Sequence, residues 1–158
     1  MTETRVKIRC RDYIKKIAIY KDRLAVQLPE KIIIYAIQPD DPFDMKYKAH
    51  KKINKRIDCN NLFVTSQNLV LVFEKKIQLL AFTGILTKEW ILESFIRYVK
   101  VISGPPKKES LLIGLQNGVV MRIFLDNAFP IPIVKQTTSI ALVDINADKS
   151  KLVVVDDH

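Results

Sequence analysis

Apolar runs of five to seven residues recur along the chain, separated by two or three polar residues, and almost none is long enough for an ordinary helix. Runs this short, bounded by turn-forming residues, predict a succession of antiparallel strands. The pattern is plainest from Arg23 to Ile37, where RLAVQL and IIIYAI flank a polar turn of Pro29, Glu30 and Lys31. The same module returns at Asn68 to Phe82 (NLVLVF, EKK, IQLLAF) and at Ser110 to Phe124 (SLLIGL, QNG, VVMRIF). A fourth copy starts at Lys151 with KLVVVD and reaches only Asp157 and His158.

The copies begin at residues 23, 68, 110 and 151, so the steps between them are 45, 42 and 41 residues. Such steps fall in or beside the range of about 40 to 45 residues occupied by a WD40 propeller blade. A strand-like stretch precedes each hairpin, at 14–20, 62–65, 96–102 and 140–145, and an extended stretch follows the first three, at 49–57, 85–92 and 131–136. Four strands per repeat is the anatomy of a blade. The expected fold is therefore all-β, a WD40-like β-propeller segment over residues 1–158 with about three and a half four-stranded blades. The blades are placed at 14–57, 62–94, 96–138 and, incomplete, 140–158. Propellers close with typically 4 to 8 blades, so the ring is expected not to close with this chain alone. Expressed by itself, the chain is expected to self-associate or to be partly unfolded.

Repeat spacing carries more weight than motif. LVDINADKSKLVVVDD at 142–157 resembles a WD40 blade entry, yet the chain holds no Gly-His or Trp-Asp pair, and Trp90 is followed by Ile91. The stretch from Lys88 to Val101 reads two ways, with Ile91, Phe95, Tyr98 and Ile102 near a helical spacing that also alternates as strands. Repeat register favours two strands of neighbouring blades there. Asn117-Gly118 signals a hairpin turn, because both residues tolerate positive φ. Gly104, Pro105 and Pro106, followed by Lys107 and Lys108, predict a rigid solvent-facing loop between the first two strands of the third blade.

Composition agrees with strands: Ile and Val supply 35 residues against 15 Leu and 8 Ala, and β-branched side chains fit a pleated surface better than a crowded helix. Only 4 Gly are present, so Asn, Asp, Lys and Pro must make most of the turns. With 158 residues, 48% of them hydrophobic, the chain is long enough for a real core. Two Cys exclude a disulfide scaffold. No window approaches the roughly 18 apolar residues of a membrane span, and the first ten residues lack the apolar core of a signal peptide. These features predict a cytoplasmic protein.

A reaction centre is hard to assemble from the remaining residues. The two His are His50, in a lysine-rich stretch, and His158. Cys10 and Cys59 lie 49 residues apart without a CxxC partner, which argues for buried or indifferent thiols over zinc ligands. Asp144, Asn146 and Asp148 mimic the start of a calcium loop, but Lys149 stands where that loop needs Gly and Val155 where it needs an acid. Asp40 and Asp41, between Pro39 and Pro42, read as a loop. No GxGxxG or GxxxxGK[ST] phosphate loop occurs. The expectation is a non-enzymatic chain with no catalytic, cofactor-binding or metal-binding residues and no small-molecule substrate.

The positive charge is uneven, with 15 basic and 8 acidic residues in 1–60 against 11 and 9 in 61–158. Its centre is KYKAHKKINKRI, in which Lys46, Lys48, Lys51, Lys52, Lys55 and Arg56 form a candidate interaction patch. Such a cluster suits nucleic acid or anionic lipid, but aromatic interleaving is limited to Tyr47, which gives base stacking little support. In a blade this stretch is the outermost strand, where lysines solvate and guard an exposed edge. An acidic protein partner fits equally well.

Three strings carry a resemblance: VQLPEKIIIY at 26–35, ESFIRYVKVISGPPKKESLLIGLQNG at 93–118 and KLVVVD at 151–156. The likeness continues in order through Asp44 to Tyr47, the region of Trp90, Asp126-Asn127 and Lys135-Gln136. Together they resemble the intraflagellar transport protein 122 family, WD40-repeat subunits of intraflagellar transport complex A. The resemblance implies part of the second of two propellers in a long chain that continues into helical repeats. It also implies a scaffold without catalytic residues or cofactors, supporting retrograde ciliary transport, cilium assembly and delivery of membrane proteins. The implied partners are other complex A subunits, with ciliary membrane-protein cargo or adaptors, at the ciliary base and axoneme. Two readings stand beside it: a nucleic-acid- or anionic-lipid-binding propeller, and a propeller subunit of a vesicle-coat type.

Overall fold

In the computed structural model, the described residues are 8, 10, 12–38, 46–135, 140–145 and 152–156. Every regular element among them is a strand. The first four are β1 (Lys16–Tyr20), β2 (Arg23–Gln27), β3 (Ile32–Gln38) and β4 (Lys46–Ile53). Next come β5 (Asn61–Val64), β6 (Asn68–Val72), β7 (Lys76–Ala81) and β8 (Leu86–Ile91). The third set is β9 (Ile96–Ile102), β10 (Ser110–Leu115), β11 (Val119–Phe124) and β12 (Ile131–Lys135), followed by β13 (Ile140–Ile145) and β14 (Leu152–Asp156).

Strands pair in chain order, giving the sheets β1-β2-β3-β4, β5-β6-β7-β8 and β9-β10-β11-β12 and the two-stranded β13-β14. Three four-stranded antiparallel sheets and a half-sheet match the predicted architecture of three and a half blades. The ambiguous stretch from Lys88 to Val101 resolves as the end of β8 and most of β9, two strands in different sheets, with no helix between them.

Burial follows position in the sheet. Central strands are covered on both faces, so they read as unbroken apolar runs: all six residues of β10 are buried, as are four of the five in β6. Outer strands are polar or mixed, as in β8, where Trp90 alone is buried. β12 carries Pro132, which an edge strand tolerates because it needs no donor on its solvent side.

The hairpins refine the six-three-six module. In the first copy Gln27 pairs with Ile32, and the Leu28 N–H donates to the Lys31 carbonyl at 2.8 Å, leaving Pro29 and Glu30 as the loop. In the second, the Phe73 N–H donates to the Lys76 carbonyl at 2.8 Å, again enclosing two residues. The third keeps three. There the Gly118 N–H donates to the Leu115 carbonyl at 3.1 Å, and Gly118 alone takes positive φ, at 89°. Asn117 contributes differently from the expected paired positive-φ turn: its Oδ1 accepts the Val119 N–H at 3.1 Å. The expected three-residue turn of Gln116, Asn117 and Gly118 is present and closes on a left-handed glycine, with Asn117 outside the positive-φ region. The Gly104 to Lys108 loop lies between β9 and β10, held by the Lys108 N–H donating to the Pro105 carbonyl at 2.9 Å.

The chain divides into two compact units: the described residues up to Leu71 with Leu80–Thr87, and Val72–Leu79 with those from Lys88 onward. In the first unit, one face of the β1–β4 sheet buries Ala18, Ala25, Ile32, Ile34 and Ile53. Gly84, at φ 93°, turns the chain between β7 and β8, with the site of an added Cβ 3.1 Å from Ile53 Cγ2. The Gln27 amide, buried on this face, donates to the Ile57 carbonyl at 2.6 Å and ties β2 to the segment leading into β5. In the second unit, Ile102, Leu112 and Val120 form a cluster packed by Tyr98, Val134, Leu152 and Val154. The linker from Glu93 to Phe95 is stitched to the β10–β11 turn by the Asn117 N–H to Ser94 Oγ, 3.1 Å, and the Gln116 N–H to the Phe95 carbonyl, 2.8 Å.

Candidate functional site

The basic run forms an edge. β4 lies at the end of the order β1-β2-β3-β4, so one side of its backbone pairs with β3 and the other faces away from the sheet. Register sets which lysine shares which face. Ile32 pairs with Ile53, Ile33 with Lys52 and Ile34 with Lys51, and then the register slips so that Tyr35 pairs with Ala49 and Ala36 with Lys48. His50 is the extra residue of this bulge.

The slip changes the distribution that strict alternation gives. Lys48 and Lys51 share the face of Ile32 and Ile34, as does the register position of Lys46, while Lys52 lies on the opposite face with Ile33 and Tyr35. Lys48, Lys51 and Lys52 are exposed. Lys55 and Arg56 follow the strand and are exposed too, and Arg56 Nε approaches Asp58 Oδ2 at 3.4 Å. Asp58 also takes Lys15 Nζ at 3.5 Å. The edge therefore brings four of the six cations onto one strand, on both of its faces, and the nearest acid beyond the run engages a fifth. No ion pair among the described residues engages Lys48, Lys51, Lys52 or Lys55.

On the Lys52 face a cavity of about 330 Å³ is lined by Leu28, Ile33, Ala49, Tyr35, Cys10, Asp12, Lys31 and Lys52. Its apolar wall belongs to a cluster of Val26, Leu28 and Ile33, against which Cys10, Leu24 and Tyr35 pack. Desolvation raises the Tyr35 hydroxyl above its ordinary pKa, with smaller upward contributions from the charge of and hydrogen bond to Cys10. Asp12 Oδ1 accepts the Tyr13 N–H at 3.0 Å. On the opposite face His50 stands edge-on to Phe82, with ring centroids 6.1 Å apart.

The second cysteine is occupied structurally. Buried Cys59 donates its thiol to Gln27 Oε1 at 3.8 Å, and burial pushes its pKa up against the lowering influence of Lys16 and Lys15. Among the described residues no group of three or more His, Cys, Asp or Glu is placed to hold a metal ion. Asp144 lies in β13, but Asn146 and Asp148 of the calcium-loop lookalike fall outside the described residues, as do Asp40, Asp41 and His158.

Sequence reasoning did not find Asp58, Gln27 or the cavity. A glutamine inside an otherwise apolar strand was the available signal for Gln27. The cavity had none, because it joins residues from Cys10 to Lys52 that only the sheet brings together.

Four-stranded antiparallel sheets repeated in chain order, with apolar central strands and polar outer ones, define a β-propeller segment whose assembled surface features are strand edges and charge. More narrowly, the chain belongs to the family described as the IFT122 second β-propeller, whose model matches residues 1–158. Relatives include the intraflagellar transport protein 122 homologs of Danio rerio and Xenopus tropicalis, each 51% identical over 158 residues. The match covers 100% of this chain and 13% of each relative. Among solved structures, BBS1N in complex with ARL6DN shares the fold with a TM-score of 0.59 at 11% identity, over 85% of this chain and 42% of that one.

Proposed function

We propose that the chain is a propeller portion of a non-enzymatic scaffold subunit of intraflagellar transport complex A. It supports retrograde ciliary transport, cilium assembly and delivery of membrane proteins through protein–protein contacts. Membership of the IFT122 second β-propeller family along all 158 residues carries this reading. The partners are the other complex A subunits, with ciliary membrane-protein cargo or its adaptors reached through them, and the protein works in the cytoplasm, at the ciliary base and along the axoneme. Affinity isolation of the full-length protein from ciliated cells is expected to recover complex A subunits. Recovery of unrelated proteins alone overturns the proposal.

A further inference from the structure

The three outer strands are protected in different ways. β8 holds one cation, Lys88, whose Nζ donates to the Leu125 carbonyl at 2.7 Å, and one acid, Glu89, which accepts from Gln78 Nε2 at 2.8 Å. β12 carries Pro132 and a single lysine, Lys135. Proline or one or two charges suffice to blunt an edge. β4 has eight residues, the longest strand among the described residues, with four lysines and no acid, and Lys55 and Arg56 extend the run. Across the ladder Lys48, Lys51 and Lys52 face Ala36, Ile34 and Ile33 and no acid, so this edge carries more uncompensated charge than the one or two groups that blunt the other two.

We infer that the outer edge of β4 is a docking site for an acidic, extended segment of a protein partner, added to the sheet as a fifth strand. A strand laid beside β4 sits about 4.8 Å away and alternates its side chains between the two faces. One row meets Lys48 and Lys51. The other meets Lys52, which lines the cavity together with the apolar Leu28 and Ile33 and a second cation, Lys31. That combination suits a side chain with an aliphatic stem and a carboxylate end; among the described residues Asp12 is the only acid lining the cavity, against two lysines. A bilayer needs cations on one surface, whereas here Lys48 and Lys51 lie on one face of the strand and Lys52 on the other. A nucleic acid gains little here from stacking, and neither it nor a bilayer uses the unpaired backbone of an edge.

The inference deepens the scaffold reading and rests on it. Its test uses the full chain and a labelled peptide of alternating glutamate and valine, followed by fluorescence anisotropy. Binding is expected to weaken with salt and to fall about tenfold or more in a Lys51→Glu, Lys52→Glu double variant. Both substitutions are at exposed positions, and unchanged circular dichroism shows that the sheet is intact. A peptide N-methylated at alternate residues is expected to bind about tenfold more weakly, because it cannot complete the backbone ladder. Equal binding by the charge-reversed variant or by the N-methylated peptide overturns the site. So does preferential binding to phosphatidylserine vesicles or to a single-stranded oligonucleotide. The measurement needs no other subunit, so peptide failure with continued recovery of complex A removes this surface and leaves the scaffold reading standing.

Discussion

Single residues hold the hairpins and connections in place, and Gly84 combines a left-handed backbone with a close approach from Ile53. Its φ of 93° lies where a side chain is strained, and an added Cβ falls 3.1 Å from Ile53 Cγ2. Gly84→Ala is expected to cost about 1–3 kcal/mol, read as a lower denaturant midpoint with an unchanged slope. Gln27→Ala leaves the Ile57 carbonyl without its 2.6 Å donor and is expected to cost about 1–3 kcal/mol in the same measurement. Cys59 adds a pH dependence. Its thiol pKa is raised on folding, chiefly by burial, so folding favours the neutral form. That stability is fully present below the unfolded thiol pKa of about 8.5 and is lost as pH rises through the folded value. Thermal unfolding across this alkaline range is expected to show a decline whose earlier part disappears in Cys59→Ala, leaving the part due to Tyr35, whose raised pKa acts at higher pH. Local sequence pointed to turns at Gly104 and Gly118 but neither to Gly84 nor to these partners. Ile53 lies 31 residues from Gly84, and Ile57 lies 30 from Gln27, so no short-range pattern records either contact.

At the scale of the element, strand identity was legible because burial and periodicity agree. SLLIGL is apolar on both faces because β10 is covered on both, whereas β8 is polar because one side faces solvent. Leu112, fully buried in β10 and central to the cluster with Ile102 and Val120, tests this reading. Leu112→Ala is expected to lower stability by about 2–5 kcal/mol, while Ile91→Ala, on an exposed position of β8, is expected to stay within about 0.5 kcal/mol of the parent. Chemical denaturation measures both, and comparable losses would contradict the assignment of central and outer strands. The candidate basic site was legible only as a count of charges. Which lysines share a face depends on the register slip at His50, and nothing in KYKAHKKI marks where a bulge falls. The neutralising role of Asp58 was hidden similarly, one residue beyond the stretch read as acid-free.

Across the whole molecule, two opposing surface properties govern behaviour in solution. The formal charge of +9 repels other copies. Against that, β1 exposes Ile17 and Ile19, at 57% and 68%, and β14 exposes Val153 and Val155, at 54% and 45%. Fully burying one such side chain is worth about 1.5–3 kcal/mol, so a contact covering several of them outweighs repulsion once that repulsion is screened. Screening shortens its range to about 8 Å at physiological ionic strength. The 158-residue chain is therefore expected to self-associate at micromolar concentration, and to do so more strongly as salt rises. This is opposite in sign to the salt dependence of peptide binding at β4, so the two processes are separable in one titration. Sedimentation velocity across a salt series reads the effect, and Ile17→Lys with Ile19→Lys is expected to shift the population toward monomer, since both side chains are already exposed and their replacement opens no cavity. A chain that stays monomeric at every salt concentration would overturn the expected self-association, and a double variant that associates as readily as the parent would place the adhesive surface elsewhere.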